Sequence, residues 1–365
     1  MSLFGPETDA ASPRSRRERI GWAAVGIAVV IGLVFALLPS PYVIQQPGPI
    51  YDTLGTTEVD GEEIPLIEIP DEETHPTEGS LDLLTVAAVG RPGRTPGWLD
   101  VAAAWFDPRR AVVPIESVYP PGLTEQDRDA QNEAQMVDSQ QDAIAAALVE
   151  LEYDFPREVV VLGVGEGTPA EGVLEEGDVI LAVAGSEVHS VDELRTALGE
   201  HGTETPAELD VLRGGETLAL EATPEAVGGQ AVLGVGVRMR YEFPIDVEIR
   251  LDDVGGPSAG MMFALGIVDK LTPGAMTGGE MVAGTGTIDS DGSVGGIGGI
   301  RQKLWGAKDH GTDWFLAPEA NCDEVAGNVP DGLEVFAVST LDEARTIVET
   351  VADGGDTSSF ARCEA

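Results

Sequence analysis

Val254-Gly255-Gly256-Pro257-Ser258-Ala259-Gly260, followed by the apolar run from Met261 to Leu271, sets a serine at the mouth of a helix among glycines. Glycine lets another backbone approach closely. The first amides of a helix have no internal partner, so they can hold a developing negative charge. Alone, such a serine is most often a helix cap. A second glycine-rich helix start, Gly298-Gly299-Ile300-Arg301-Gln302-Lys303, argues for more. Lys303 lies 303 − 258 = 45 positions on, and with Lys270 and Lys308 it is one of only three lysines among 21 basic residues. Arginine keeps its proton in a protein, whereas a buried lysine can give it up. A desolvated lysine beside a serine hydroxyl forms a base–nucleophile pair. Thr285, within Ala283-Gly284-Thr285-Gly286-Thr287-Ile288, is placed to orient the amine. Plainer readings stay open: an N-capping Ser258, a solvated helix lysine at 303 and an ordinary strand threonine at 285.

Working outward, residues 243–251 alternate as a strand, 258–271 read as a helix and 282–288 as a strand. Residues 299–309 are helical, 314–317 and 335–338 are strands, and 341–351 form a closing helix. Strand and helix alternate, which predicts α/β or α+β packing for 225–352. Residues 156–224 form another unit. A β-like VVVLGV precedes Glu166-Gly167-Thr168-Pro169-Ala170, then Gly177-Asp178-Val179-Ile180-Leu181-Ala182-Val183. A helix follows from Ser190, capped by that serine and by Glu193, and then a strand pair turning at Gly214-Gly215. Further upstream, 64–69 and 81–89 read as strands. Residues 131–151 form an amphipathic helix with Met136, Ile144, Leu148 and Leu151 on one stripe. The tail, 353–365, is Gly/Ser-rich and expected to be loose.

The net charge of −43 and pI near 4.1 exclude nucleic acid as a partner, because phosphate would be repelled. Two explanations of the acidity stand, a solubilising surface and an acidic face for a basic substrate. From Ile20 to Leu38 the chain has 19 uncharged residues, about 28 Å of helix. Arg14, Arg16, Arg17 and Arg19 precede them, which predicts a single-pass anchor at 20–39, a cytoplasmic tail at 1–19 and the rest outside the cell membrane. A cleaved signal peptide is the alternative. Cys322 and Cys363 are the only cysteines and are expected to pair in an oxidising compartment, two free thiols being the alternative. No lysine is followed by Ser or Thr, so there is no P-loop for ATP. The four histidines occupy no distinctive setting, no His/Cys cluster suggests a metal, and no cofactor is expected.

The ordered set G-T-P-A, G-D-V-I-L-A-V and V-x-x-x-x-E-L in 156–224 resembles a PDZ domain of the bacterial type. That resemblance implies a module binding an extended peptide, usually a C-terminus, as an added strand. The carboxylate loop typical of such domains is not visible before Val159. Leu233-Gly234-Val235 is the nearest echo and requires a permuted arrangement. G-P-S-A-G, the apolar helix after it, the T-G strand, Gly292-Ser293-Val294 and G-G-I-x-x-K together resemble the proteolytic domain of the Lon protease family. The resemblance implies Ser258 as nucleophile, Lys303 as general base and Thr285 as supporting hydroxyl. Gly256 and Ala259 supply backbone for the oxyanion and the substrate. One departure is Gly255, where many members carry an acidic residue. With P-Y-V-I-Q-Q-P-G-P and F-P-I-D-V added, the chain resembles membrane-anchored, PDZ-containing Lon-like proteases of bacteria. An α+β fold is implied: transmembrane helix, PDZ-like domain and Lon-type proteolytic domain. The region 40–155 is either separate or the first part of that domain, with the PDZ unit inserted. The implied activity is ATP-independent serine endopeptidase action on proteins or peptides, with the PDZ unit binding or gating substrate. A homo-oligomer stays open. The rival reading is a catalytically silent, membrane-tethered PDZ adaptor.

Overall fold

The computed structural model describes residues 16–59, 61–120, 122, 124–251 and 254–363. The chain divides into two compact units, Met1–Gln46 with Ala88–Glu125, and Pro47–Ala87 with Gln126–Ala365. Within the first lie helix α1 (Arg16–Leu37), the beginning of strand β1 (Tyr42–Asp52), helix α2 (Trp98–Trp105) and the strand Ala111–Pro114. Tyr42 meets the ring edges of Trp98 and Trp105, and pairs antiparallel with Pro114.

The expected anchor is overturned. The apolar segment is helical, but among the described residues no helix is long and apolar enough to cross a membrane. A transmembrane helix at 20–39 therefore leaves this account, and the membrane location and the sidedness built on it go too.

The second unit holds two lobes. The α/β lobe is built from β1, β2 (Ser80–Val89) and α3 (Glu125–Glu150), and from elements at the C-terminal end of the chain. Between them comes an antiparallel lobe: β3 (Arg157–Val164), β4 (Val179–Val183), α4 (Val191–His201), β5 (Ala207–Arg213), β6 (Glu216–Ala222) and β7 (Val235–Tyr241). The chain then returns to the first lobe through α5 (Gly260–Leu271), β8 (Met281–Gly284), α6 (Ile300–His310), β9 (Trp314–Pro318), β10 (Glu334–Val338) and α7 (Leu341–Ala352). The sheet order in the α/β lobe is β10-β9-β8-β2-β1. Val282 of β8 lies in parallel register with Leu81 and Trp314, and Leu316 with Phe336.

Side chains alternate across a strand, so one strand feeds two cores. Leu81, Leu83, Val282, Leu316 and Phe336 pack with α3, α5 and α7 through Ile144, Leu148, Phe263, Ile267 and Ile347. Their neighbours Leu84, Ala283, Phe315 and Val335 face the other way, onto Ile300, Leu304 and Ala307 of α6. The sheet is covered on both faces, as mostly parallel sheets require.

The antiparallel lobe has strand order β6-β5-β4-β3-β7 around its own core. The aspartate of Gly177-Asp178-Val179 is 1% exposed and takes bonds of 2.7 Å from both Nε and Nη2 of Arg213, so it ties two strands together. Ser190 caps the helix by accepting from the Glu193 amide, while the Glu193 side chain reaches one residue further back and accepts from the His189 amide rather than that of Ser190, so only half of the expected capping box forms. The lobe continues past 224: Val235 pairs with Val164 and Met239 with Val159. Leu233-Gly234-Val235 thus leads directly into an edge strand, which is the permuted arrangement.

Two local expectations change. Residues 243–251 form strand only at Glu248–Ile249. Pro244 has no N–H to give a ladder, and Phe243 instead packs on Phe155 and Tyr241. The tail is not loose: Ala337 donates to the Ala361 carbonyl, and Phe336 receives Phe360 edge-on and Arg362 over its face.

Candidate active site

Ser258 stands two residues before the first residue of α5, on one face of the sheet, and Lys303 belongs to α6 on the other. They meet beyond the carboxyl end of β8, where Gly284 passes into Thr285, the edge at which open α/β sheets place their ligands. The turn bearing Ser258 is fixed from three sides. Gly256 N–H donates to the Asn132 carbonyl of α3 at 3.0 Å, and the Ser139 hydroxyl donates to the Pro257 carbonyl at 3.0 Å. The Ser258 carbonyl accepts from Thr285 Oγ1 (2.8 Å) and from the Gly286 amide (3.0 Å). Gly255 lies against α3 so closely that a Cβ would stand 2.6 Å from Asn132 Cβ, so an acidic side chain has no room there. Asp252 and Asp253 lie outside the described residues.

On the opposite side Gly299 caps α6 in the left-handed region (φ 72°), where a Cβ would also strike Val86 at 2.8 Å. The Asn321 side chain holds Ile297 at both ends, its Oδ1 accepting from the amide and its Nδ2 donating to the carbonyl, each at 2.8 Å. From this rigid start Lys303 reaches inward and is 2% exposed. Its Nζ donates to Ser258 Oγ and to Thr285 Oγ1, each at 2.7 Å. Burial pushes the amine down to about 7, because desolvation disfavours its charged form. The other lysines differ. Lys270 is half-buried and its lowering by burial is opposed by Asp269 and Asp52, while Lys308 donates to the Gly332 carbonyl.

A cleft of about 330 Å³ opens over Ser258, with Tyr51, Leu83, Met136 and Val254 among its walls and Gly256, Ala259, Gly298 and Lys303 at its base. None of the four histidines lines it. Among the described residues, no group of His, Cys, Asp or Glu is arranged to hold a metal. Cys322 and Cys363 are joined by a disulfide directly after Asn321. Asn132, Ser139 and Asn321 escape a sequence reading. Only Ser139 leaves a trace: it stands three positions after Met136 on the buried stripe of α3, where a serine needs a bonding partner.

The chain carries a PDZ domain, matched over 133–223, and a Lon protease (S16) C-terminal proteolytic domain, matched over 252–350. It is 38% identical over 91 residues to a Lon protease of Lachnoclostridium phytofermentans, covering 24% of this chain and 11% of that protein. Lon protease 1 of Sorangium cellulosum is 39% identical over 92 residues, with 24% and 11% covered. Lon protease 2 of Herpetosiphon aurantiacus is 36% identical over 115 residues, with 30% and 14% covered. The chain thus spans between 11% and 14% of the length of these relatives. A crystallised PDZ domain of an SdrC-like protein from Listeria monocytogenes is 21% identical, covering 22% of this chain and 85% of that one, at a TM-score of 0.21.

Proposed function

We propose that this chain is an ATP-independent serine endopeptidase working through a Ser258–Lys303 dyad. One observation carries the reading: a buried amine, held near neutrality by desolvation, stands 2.7 Å from a serine hydroxyl at a helix mouth. Neutral Lys303 takes the Ser258 proton as Oγ attacks the scissile carbonyl. Thr285, whose hydroxyl proton is committed to the Ser258 carbonyl, presents a lone pair to the amine and sets its direction. The Gly256 amide is occupied by Asn132, so the oxyanion falls to the amides at Ser258 and Ala259 at the start of α5. The ammonium then returns its proton to the leaving amine, and water, activated by the same lysine, hydrolyses the acyl-enzyme. The PDZ unit holds peptide segments of the substrate.

Incubation with an active-site serine probe such as a fluorophosphonate, followed by peptide mass mapping, tests this. Covalent label on Ser258, lost in Lys303→Met, is the expected result. A folded protein that binds peptides yet neither labels nor cleaves is instead the silent adaptor.

A further inference from the structure

The cleft over Ser258 does not end at the serine. A larger one, about 770 Å³, lies between α3 and the residues Ile249, Leu251, Val254 and Gly255, and the two share Met136, Val254 and Gly255 as walls. One face of α3 lines it: Asp129, Asn132, Glu133, Met136, Val137 and Gln140 fall at i, i+3, i+4, i+7, i+8 and i+11. From 129 to 140 that face runs about 17 Å, room for about five residues of extended chain.

Its chemistry is two-sided. Ile249, Leu251, Val254 and a Val137 left 53% exposed give an apolar wall. Asp129 and Glu133 give an acidic rim, and no lysine or arginine is among the residues that line the cleft. Arg250, between Ile249 and Leu251, is committed to Glu68 and Glu248. Asp129 and Glu133 are like charges at i, i+4, a spacing that destabilises a helix unless a cation sits between them. A lysine or arginine side chain lays its methylenes on apolar surface and its charge on carboxylates, matching both features at once.

We propose that this second cleft is the extended substrate subsite and that it selects a basic side chain. Preferred substrates then combine an apolar residue at Ser258 with Lys or Arg within about five residues of the scissile bond. The inference rests on the peptidase reading. It gives the net charge of −43 a use, since cationic segments are drawn in by long-range attraction that weakens as salt rises.

Fluorescent peptides with one apolar core, flanked on either side by Lys, Gln or Glu, are titrated onto the full chain carrying Ser258→Ala, and cleavage by the unaltered chain is followed in parallel. The Lys peptide is expected to bind about tenfold tighter than the Glu peptide at low salt, with most of that ratio lost at high salt. The double reversal Asp129→Lys, Glu133→Lys should invert the order, and tighter binding of the Glu peptide shows that this variant is folded. Equal affinity for Lys and Glu peptides, or a preference untouched by the reversal, overturns the subsite. Labelling of Ser258 by the serine probe separates the two levels: with labelling intact only the subsite falls, and without it the peptidase reading falls as well.

Discussion

Lys303 is costly to bury, and that cost is its usefulness. Its amine rests near 7 rather than at the ordinary 10.5, so the folded state binds this proton more weakly than the unfolded chain does. Stability must then rise with pH between about 7 and 10.5, as the unfolded chain loses its advantage in proton binding. On the proposed dyad, peptidase activity should rise in its own window, through about 7, as the amine becomes neutral and able to accept the Ser258 proton. Lys303→Met removes the buried charge while keeping the volume. It should melt no lower than the parent, lose the stability gain above pH 7 and lose activity by about 10³-fold. Lys303→Arg keeps the charge but never becomes neutral and so cannot accept the Ser258 proton, and it should be equally inactive. Substantial cleavage by either variant, measured as kcat/KM on a fluorogenic peptide, would remove the lysine from its role. The lysine's rarity and its spacing from Ser258 were legible in the chain. Its near-total burial was not, because burial depends on which helices close over it.

At the scale of elements, α3 buttresses the serine turn. Ser139, buried at 3%, donates to the carbonyl just before Ser258, and the Asn132 carbonyl takes the Gly256 amide. Ser139→Ala removes the donor from a half-buried carbonyl and should destabilise the fold by about 1 kcal/mol. Because it also loosens the turn, serine-probe acylation should slow by about tenfold while peptide KM barely moves. An unchanged acylation rate would reduce Ser139 to a packing residue. The tail is a second such case. Cys363 is tied to Cys322, and Phe360 and Arg362 dock on Phe336. Cys363→Ser should lower unfolding free energy by about 2–4 kcal/mol in denaturant melts, since it reopens a 41-position loop. A change within a few tenths would mean that the aromatic docking alone holds the tail. The Gly/Ser content read as looseness, whereas the disulfide, Phe360, Arg362 and the Ala361 carbonyl together hold the tail down.

Across the whole second unit, the two lobes meet through acids. Tyr241, at the end of β7, donates to Asp142 of α3 at 2.5 Å. Asp192 of α4 stands near enough to Asp289, in the turn after Ile288, to raise its pKa. Asp289 is pushed up to about 7, first by burial and then by Asp192, Asp142 and Asp291; Asp142 rises to about 6, again mainly by burial. An acid raised in the folded state binds its proton more tightly there, so the stability it lends is full below its ordinary 3.8 and drains away as pH climbs to about 7. Thermal melts should therefore fall between about pH 4 and 7, opposite in sign to the Lys303 effect, and Asp289→Asn should flatten that decline. A decline of equal slope in the variant would place the titration elsewhere, with Asp142 or Asp82, which burial also raises to about 6.

The sequence by itself determined the two modules and the order of most of their elements, and it singled out Ser258, Thr285 and Lys303, which the structure brings within hydrogen-bond distance of one another. These are written in local signals: glycines where a turn demands them, alternation with period two or 3.6, and a lysine where arginine chemistry fails. Only the tertiary structure decided that β1 and β2 join one sheet with β8 to β10 across the intervening antiparallel lobe, and that β7 rather than an upstream strand forms that lobe's edge. The same holds for the Asn132, Ser139 and Asn321 contacts and for the acidic cleft beside the serine. Each joins residues far apart in the chain, and a linear pattern of propensity carries no distance between them. The apolar run at 20–38 is the converse lesson. Hydropathy and an arginine flank describe a segment's composition, whereas among the described residues no helix is both long and apolar enough to cross a membrane.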